Sequence, residues 1–264
     1  MDRRIVLNTV KNMRDLGGIA MKDSRMIIRP GMLYRSAFLY QASPADLAEM
    51  RDELHIRKVV DLRTDQEVAK MPDEGADGIV YTHRPLLNES MMGITHEIRL
   101  ESENRSVMLP DMQDMYRQIV TDKTAQRNLG RAVSEIMTHD YDQGGVVWHC
   151  TEGKDRCGIT SAVVLMTLGA DRDTVMRDYL ITNETNAAKA EGYYRYILSK
   201  GEEERIAAFV RDAFLAKEEY LNAALDAIFA AFGNMEEYAE AALGIQEKVL
   251  QRFRETVLTK ADPS

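Results

Sequence analysis

The residues best suited to chemistry in this sequence are Cys150 and Arg156, which are separated by five residues. Residues 146–149 before them form an apolar run typical of a buried strand. Residues 159–168 after them are apolar on nearly every face, as in a buried helix. A loop between a strand and a helix start directs backbone N–H groups to one point, where they bind phosphate and stabilise a thiolate. The pattern therefore predicts phosphate chemistry with Cys150 as the nucleophile.

The two ends of this loop supply different groups. The ordinary pKa of a cysteine thiol is about 8.5 and only the thiolate attacks well, so Cys150 needs the helix N-terminus in order to ionise near neutral pH. Arg156 presents a planar fork that matches two phosphoryl oxygens at once. The alternative is a buried structural cysteine with an arginine nearby by chance. The flanking strand, the buried helix and the Gly-Lys-Asp inside the loop favour the phosphate loop.

Residues 149–158 resemble the signature His-Cys-x-x-Gly-Lys-Asp-Arg-Thr-Gly of the bacterial atypical protein-tyrosine and lipid phosphatases. Further blocks are similar to the same family, at residues 12–18, 33–37, 59–63 and 178–183. The resemblance implies an α/β fold like that of protein-tyrosine phosphatases, with a mostly parallel central sheet flanked by helices. It also implies that neither a metal nor a cofactor is needed. The substrates that it implies are phosphotyrosine peptides, other phosphomonoesters and phosphoinositides.

The loop residues other than Cys150 and Arg156 are expected to surround the bound phosphoryl group. These expected substrate-binding residues are Thr151, Glu152, Gly153, Lys154, Cys157 and Gly158. We expect Lys154 at the rim of the loop, either in contact with a second phosphate or paired with a carboxylate such as Glu152.

Cys157 departs from the family pattern, which has Thr or Ser after the loop arginine. A thiol is a weaker donor than a hydroxyl, which predicts slower hydrolysis of the intermediate. Alternatively, Cys157 traps an oxidised Cys150 as a disulfide and protects it from irreversible oxidation. The simplest interpretation is a small buried residue beneath the loop.

The leaving oxygen needs a proton, and two carboxyl groups are candidates for supplying it. Asp155 lies inside the loop directly before Arg156, where the resemblance also places an acid, and we favour it. Asp111 follows Leu109-Pro110 and resembles the Trp-Pro-Asp loop acid of other tyrosine phosphatases. The preferred interpretation of Asp111 is a residue at the N-terminus of a helix, following Pro110.

Three further residues are candidates for the site. We expect His149 to hydrogen-bond near Cys150 and to order the loop, without acting as a base. Asp61 and Arg63 end a predicted strand at the carboxyl edge of the sheet, where ligand sites of α/β proteins form. Their interaction is either a substrate contact or a structural salt bridge.

The elements that must position these groups alternate between short β runs and helical stretches up to about residue 170, which predicts an α/β fold with a mostly parallel sheet. Residues 1–170 are interpreted as the phosphatase core. The polar stretch at 88–110 is interpreted as an insertion that overhangs the site. Residues 171–264 are rich in Ala and Glu and read as a helical extension packed on the core in the same domain.

Composition limits the partners of the protein. The 264 residues carry 34 Lys and Arg against 43 Asp and Glu, a net charge of −9, which argues against non-specific binding to nucleic acid or to an anionic membrane. No apolar run approaches the roughly 18 residues of a membrane span, and no apolar stretch typical of a signal peptide follows Arg4. Two cysteines are too few for a disulfide scaffold and indicate the reducing cytoplasm. The expected partners are a phosphorylated protein, a phosphorylated peptide or a phosphoinositide.

Three classes of function remain after these observations. The first is an active protein-tyrosine or dual-specificity phosphatase, with phosphoinositides as further candidate substrates. The second is a weakly active phosphate-binding module, which predicts loss of Cys150 or Arg156, and neither is lost. The third is a rhodanese-like sulfurtransferase or thiol-redox protein, which the adjacent Asp155 and Arg156 disfavour.

Overall fold

A computed structural model of the protein describes residues 3–22, 24–88 and 111–261. Its strands are β1 (Arg14–Asp15), β2 (Met26–Ile28), β3 (Leu33–Ser36), β4 (Ile56–Asp61), β5 (Val80–His83), β6 (Gly145–His149) and β7 (Leu258–Lys260). The central sheet has five strands in the order β1-β3-β6-β4-β5, and β2 pairs with β7 in a separate ribbon.

The strands at the centre of the large sheet are parallel. β6 lies between β3 and β4 and runs parallel to both, whereas β1 is antiparallel to β3. The register places His149 opposite Ser36 on one side and opposite Asp61 on the other. Three strands therefore end at one edge, and the segments that follow them meet there.

The helices cover the sheet and continue beyond it. They are α1 (Pro44–Asp52), α2 (Asp65–Lys70), α3 (Met112–Thr121), α4 (Lys123–Met137), α5 (Asp155–Leu168), α6 (Arg172–Leu180), α7 (Thr182–Ser199), α8 (Glu204–Phe214), α9 (Glu218–Phe232), α10 (Met235–Ala241) and α11 (Glu247–Val257). The predicted fold class, a mostly parallel α/β sheet flanked by helices, is confirmed.

Local sequence signals account for several helix ends. Ser43 caps α1 by accepting from the backbone N–H of Asp46, with Pro44 at the first helical position. Gly169 ends α5 in the left-handed conformation at φ 108°. Apart from its partly exposed Met166 and its first residue, α5 is buried, which agrees with its apolar sequence.

The C-terminal helices share a hydrophobic core with the sheet. Trp148 of β6, Val164 of α5, Leu221 of α9 and Phe253 of α11 belong to one buried cluster. The predicted insertion at 88–110 lies outside the described residues except for Asn88. Within the described ranges, no helix combines the length and the apolar character needed to cross a membrane.

Candidate active site

The candidate site is the loop that connects β6 to α5. Cys150 follows β6 directly and is 2% exposed, and Arg156 is the second residue of α5 and is 3% exposed. Gly153 has a φ of +66°, and a Cβ at this position would lie 2.5 Å from the Ser36 carbonyl oxygen. Only glycine allows this close passage of the loop over the end of β3.

The thiol of Cys150 is set to ionise near neutral pH. Burial alone would raise its pKa, but a hydrogen bond from the Cys157 thiol, the Arg156 charge and the Cys157 backbone N–H together lower the pKa of Cys150 to about 6. Burial and the neighbouring Cys150 raise the pKa of Cys157 well above its ordinary value, so Cys157 remains a neutral donor. Cys150 is therefore mostly a thiolate at pH 7.

Arg156 is oriented by a glutamate of α2. Its Nη1 and Nη2 lie 2.5 and 2.8 Å from the two carboxylate oxygens of Glu67, and Nη2 also donates to Thr151 Oγ1 at 3.2 Å. Burial opposes ionisation of Glu67, but the hydrogen bond and charge of Arg156 lower its pKa to about 2. Glu67 also closes a capping box with Thr64 at the start of α2. Sequence reasoning missed Glu67, although the Thr-x-x-Glu spacing directly after a strand was a usable signal.

Asp155 is held by residues from two other helices. Tyr116 of α3 donates to Asp155 Oδ1 at 2.6 Å, and the hydroxyl of Tyr179 in α6 lies 2.6 Å from the hydroxyl of Tyr116. Lys154 Nζ lies 3.1 Å from the same Asp155 oxygen. Neither tyrosine was predicted as a site residue, because nothing local distinguishes a site tyrosine from a packing one.

The position of Lys154 differs from the prediction. It does not lie at the rim of the loop, since it is fully buried and its ammonium donates to the carbonyls of Ala213 and Leu215, the second at 3.4 Å. These carbonyls belong to the C-terminal end of α8, where helix carbonyls lack partners and attract a cation. The carboxylate beside Lys154 is Asp155 rather than Glu152, which was the expected example, and Glu152 pairs with Lys189 of α7 at 2.5 Å.

Beneath the loop lies a buried set of charges, Arg14, Arg35 and Asp178, which we call the Asp178 network. Asp178 accepts from Arg14 Nε at 3.1 Å and from Arg35 Nη1 at 2.8 Å. Arg35 also donates to the carbonyl of Gly153 at 2.8 Å. A planar trans peptide whose carbonyl is held on one side turns its N–H to the other side. The network therefore helps to direct N–H groups of the loop towards a ligand.

On the other side of β6 lies a second set, Asp61, Arg63, Asp73 and His149, which we call the Asp61 network. Arg63 Nη2 lies 2.7 Å from Asp61 and 2.8 Å from Asp73, so the strand-end pair is a structural salt bridge, one of the two expected alternatives. His149 Nε2 lies 2.9 Å from Asp73, and its Nδ1 lies 3.2 Å from the Cys150 carbonyl oxygen. Because Arg63 contacts both carboxylates and His149 also faces Asp73, basic side chains already occupy this cluster, and we assign no metal to it.

Asp111, the other candidate acid, is the exposed N-cap of α3. Its carboxylate accepts from the backbone N–H groups of Gln113 and Asp114, at 2.8 and 3.4 Å. This contact explains Asp111 without a role in chemistry. Asp155, by contrast, is part of the loop itself.

Comparison with known proteins agrees with this geometry. A model of the tyrosine phosphatase family matches residues 5–259. The chain belongs to the tyrosine phosphatase family. The resemblance found in the sequence is thereby confirmed, and the protein is a phosphatase.

Two curated relatives cover most of the chain. The triple specificity protein phosphatase PtpB of Mycobacterium tuberculosis is 31% identical over 276 residues, covering 94% of this chain and 96% of the relative. A protein of Cupriavidus necator that carries the name of a tyrosine-protein phosphatase is 31% identical over 247 residues, covering 91% of this chain and 84% of the relative.

Proposed function

We propose that this phosphatase hydrolyses phosphomonoesters through a phosphocysteine intermediate on Cys150. The observation that carries the proposal is a thiol whose pKa is lowered to about 6 in the same loop as an oriented arginine. A nucleophile that is ionised at neutral pH beside a phosphate-matching fork is what phosphoryl transfer to sulfur requires.

In the first step the Cys150 thiolate attacks phosphorus, and the bond between phosphorus and the leaving oxygen breaks. Arg156 and the backbone N–H groups of the loop bind the equatorial oxygens, whose charge grows in the transition state. Asp155 gives its proton to the leaving oxygen, so that an alcohol or phenol departs and Asp155 becomes a carboxylate.

In the second step water attacks the phosphorus of phosphocysteine. The Asp155 carboxylate takes a proton from this water, and Cys150 leaves as a thiolate, which restores the starting enzyme and releases phosphate. The Cys157 thiol, a neutral donor, stabilises the leaving thiolate. Because a thiol donates more weakly than a hydroxyl, we expect this step to be slower than with Thr or Ser at position 157.

Asp155 is proposed as the acid in preference to Asp111. Asp155 is adjacent to Arg156 in the loop and 13% of its side chain is exposed, so a substrate can reach it. Asp111 is engaged as a helix cap by two backbone N–H groups. Thr151, Glu152, Gly153, Cys157 and Gly158 are proposed to surround the phosphoryl group mainly through their backbone.

Phosphotyrosine in proteins or peptides is the first proposed substrate, and the family description supports it. Dual specificity towards phosphoserine and phosphothreonine is proposed as an extension, since the name of the mycobacterial relative attributes triple specificity to that protein. Phosphoinositides are a further proposed class, from the resemblance alone. No nucleic-acid partner and no stable membrane anchor are proposed.

We also propose that residues 1–170 form the phosphatase core and that residues 171–264 are a helical extension of the same domain. The buried cluster that joins Trp148 to Leu221 and Phe253 supports this arrangement. A cytoplasmic location is proposed because Cys150 and Cys157 are both free thiols, which suits a reducing compartment.

The test begins with Cys150→Ser, which should abolish turnover of p-nitrophenyl phosphate and leave vanadate binding largely intact. Arg156→Lys should lose activity by about 100-fold or more, because a point charge cannot replace the fork. Both results should be unchanged by EDTA. Activity above a few per cent in Cys150→Ser would contradict the nucleophile assignment. A panel of phosphopeptides and phosphoinositides then ranks the substrate classes.

A further inference from the structure

Two buried tyrosines form a hydrogen-bonded chain that ends on Asp155. The chain runs from Tyr179 to Tyr116 to Asp155 Oδ1, with 2.6 Å at each link. Both tyrosines are at most 1% exposed, and their rings meet edge to face with centroids 6.3 Å apart. Each hydroxyl has one proton, so a buried pair of hydroxyls leaves one O–H without an acceptor, and here Asp155 Oδ1 accepts it.

The direction of this chain follows from proton counting. Each phenol has one proton, and an ionised carboxylate only accepts, so Tyr116 donates to Asp155 and accepts from Tyr179. Burial, followed by the charge of Asp155, raises the pKa of both tyrosines well above the ordinary value. Both therefore remain neutral donors at any pH at which the enzyme works.

The two oxygens of Asp155 have different surroundings. Oδ1 receives the Tyr116 hydroxyl and lies 3.1 Å from Lys154 Nζ. Oδ2 receives no hydrogen bond from any residue in the described ranges. A carboxyl group whose one oxygen is occupied by donors carries its proton on the other oxygen, so the proton of Asp155 belongs on Oδ2.

We propose that Tyr116, supported by Tyr179, is a positioning residue that holds Asp155 Oδ1 so that the protonated Oδ2 faces the leaving oxygen. This inference rests on the proposed acid role of Asp155. It adds two residues from α3 and α6 to the machinery, 39 and 24 positions away from Asp155 along the chain.

The deciding variant is Tyr116→Phe, which removes the hydroxyl and keeps the ring. With a series of aryl phosphates, kcat/KM should fall about ten-fold or more for poor leaving groups such as phenol. A general acid accelerates a reaction by about 10²–10⁴-fold, and a misplaced acid loses part of that acceleration. For p-nitrophenyl phosphate, whose leaving group departs unprotonated, the loss should stay below about three-fold. The basic limb of the pH profile should move to higher pH, because the lost donor favoured the ionised carboxylate. Tyr179→Phe should act in the same direction with a smaller effect.

Tyr220→Phe is the matched control. The Tyr220 ring packs on Tyr116 with centroids 5.8 Å apart, but its hydroxyl does not donate to Asp155 in the described structure. This variant should leave both the leaving-group dependence and the pH profile unchanged. Thermal unfolding and vanadate binding should be measured for each variant. If Tyr116→Phe does not fold, Tyr179→Phe decides the question.

Asp155→Asn separates failure of this inference from failure of the proposed function. Steep leaving-group dependence in Asp155→Asn combined with a uniform loss in Tyr116→Phe would leave Asp155 as the acid and overturn the role of Tyr116. A flat dependence in Asp155→Asn would remove Asp155 as the acid and Tyr116 with it. Steep dependence in both variants, with an unchanged Tyr220→Phe, supports the proposal.

Discussion

The Asp178 network and the Asp61 network flank the same strand, β6, but their charges are balanced differently. The first holds two buried arginines against one carboxylate, with the partly exposed Arg3 also 3.1 Å from that carboxylate. The second holds two carboxylates against one arginine and a histidine. Positive charge is therefore in excess on the β3 side of the loop and compensated on the β4 side.

The difference in charge balance shifts the pKa values of the arginines in opposite directions. Burial and the nearby Arg35 lower the pKa of Arg14 to about 10, although Asp178 opposes the shift. For Arg63, burial acts in the same direction, but Asp61 and Asp73 outweigh it and raise its pKa. The network with excess positive charge is also the one whose arginine donates to the carbonyls of the loop. An anion bound in the loop would relieve the repulsion there, which suits a site for phosphoryl groups.

The largest expected effect comes from neutralising the single carboxylate of the Asp178 network. Asp178→Asn leaves Arg14 and Arg35 without a counter-ion and should lower the free energy of unfolding by about 3–5 kcal/mol. Asp61→Asn should cost clearly less, because Asp73 still pairs with Arg63 at 2.8 Å. Urea unfolding monitored by Trp148 fluorescence measures both. An equal loss of unfolding free energy in Asp178→Asn and Asp61→Asn would contradict the proposed difference in charge balance between the two networks.

The next largest effect is expected at Glu67, which orients Arg156 from α2, the helix that follows β4. Glu67→Gln should lower kcat/KM by about 100-fold, since a guanidinium held by a weaker partner is misplaced for the phosphoryl oxygens. Glu135→Gln is the control, because Glu135 pairs with Lys58 and Arg84 away from the loop. A loss in Glu67→Gln no greater than in Glu135→Gln would show that the pairing is unimportant for catalysis.

The smallest expected effect concerns a donor inside the loop, the Cys157 thiol, rather than the charged networks that flank the loop. The rate of Cys150 alkylation by iodoacetamide should rise with pH and level off with a midpoint near pH 6. Cys157→Ala should move the midpoint up by about one pH unit or more, because the thiolate loses a hydrogen bond. Cys157→Ser keeps a donor and should shift it less. An unchanged midpoint in Cys157→Ala would assign the low pKa to other groups.

Much of the site was visible in the sequence, since Cys150, Arg156 and Asp155 are close neighbours in one loop. The role of Asp111 as a helix cap and the salt bridge of Asp61 with Arg63 were also among the stated alternatives, and the structure contains both. Lys154 was misplaced because the direction of its side chain depends on α8. The expectation for 88–110 lies outside the described residues and remains a prediction.

What the sequence determined by itself is local. The strand, the tight loop and the buried helix follow from the periodicity and residue types of one segment of about 25 residues, and Cys150 and Arg156 lie within it.

The tertiary structure alone decided which distant side chains reach that loop. Glu67 lies 89 positions from Arg156 and Tyr116 lies 39 positions from Asp155, yet each pair is in hydrogen-bond contact. The order β3-β6-β4 and the packing of α3 and α6 create these contacts. Sequence periodicity specifies which face of an element is buried, but it does not specify which residue lies opposite that face.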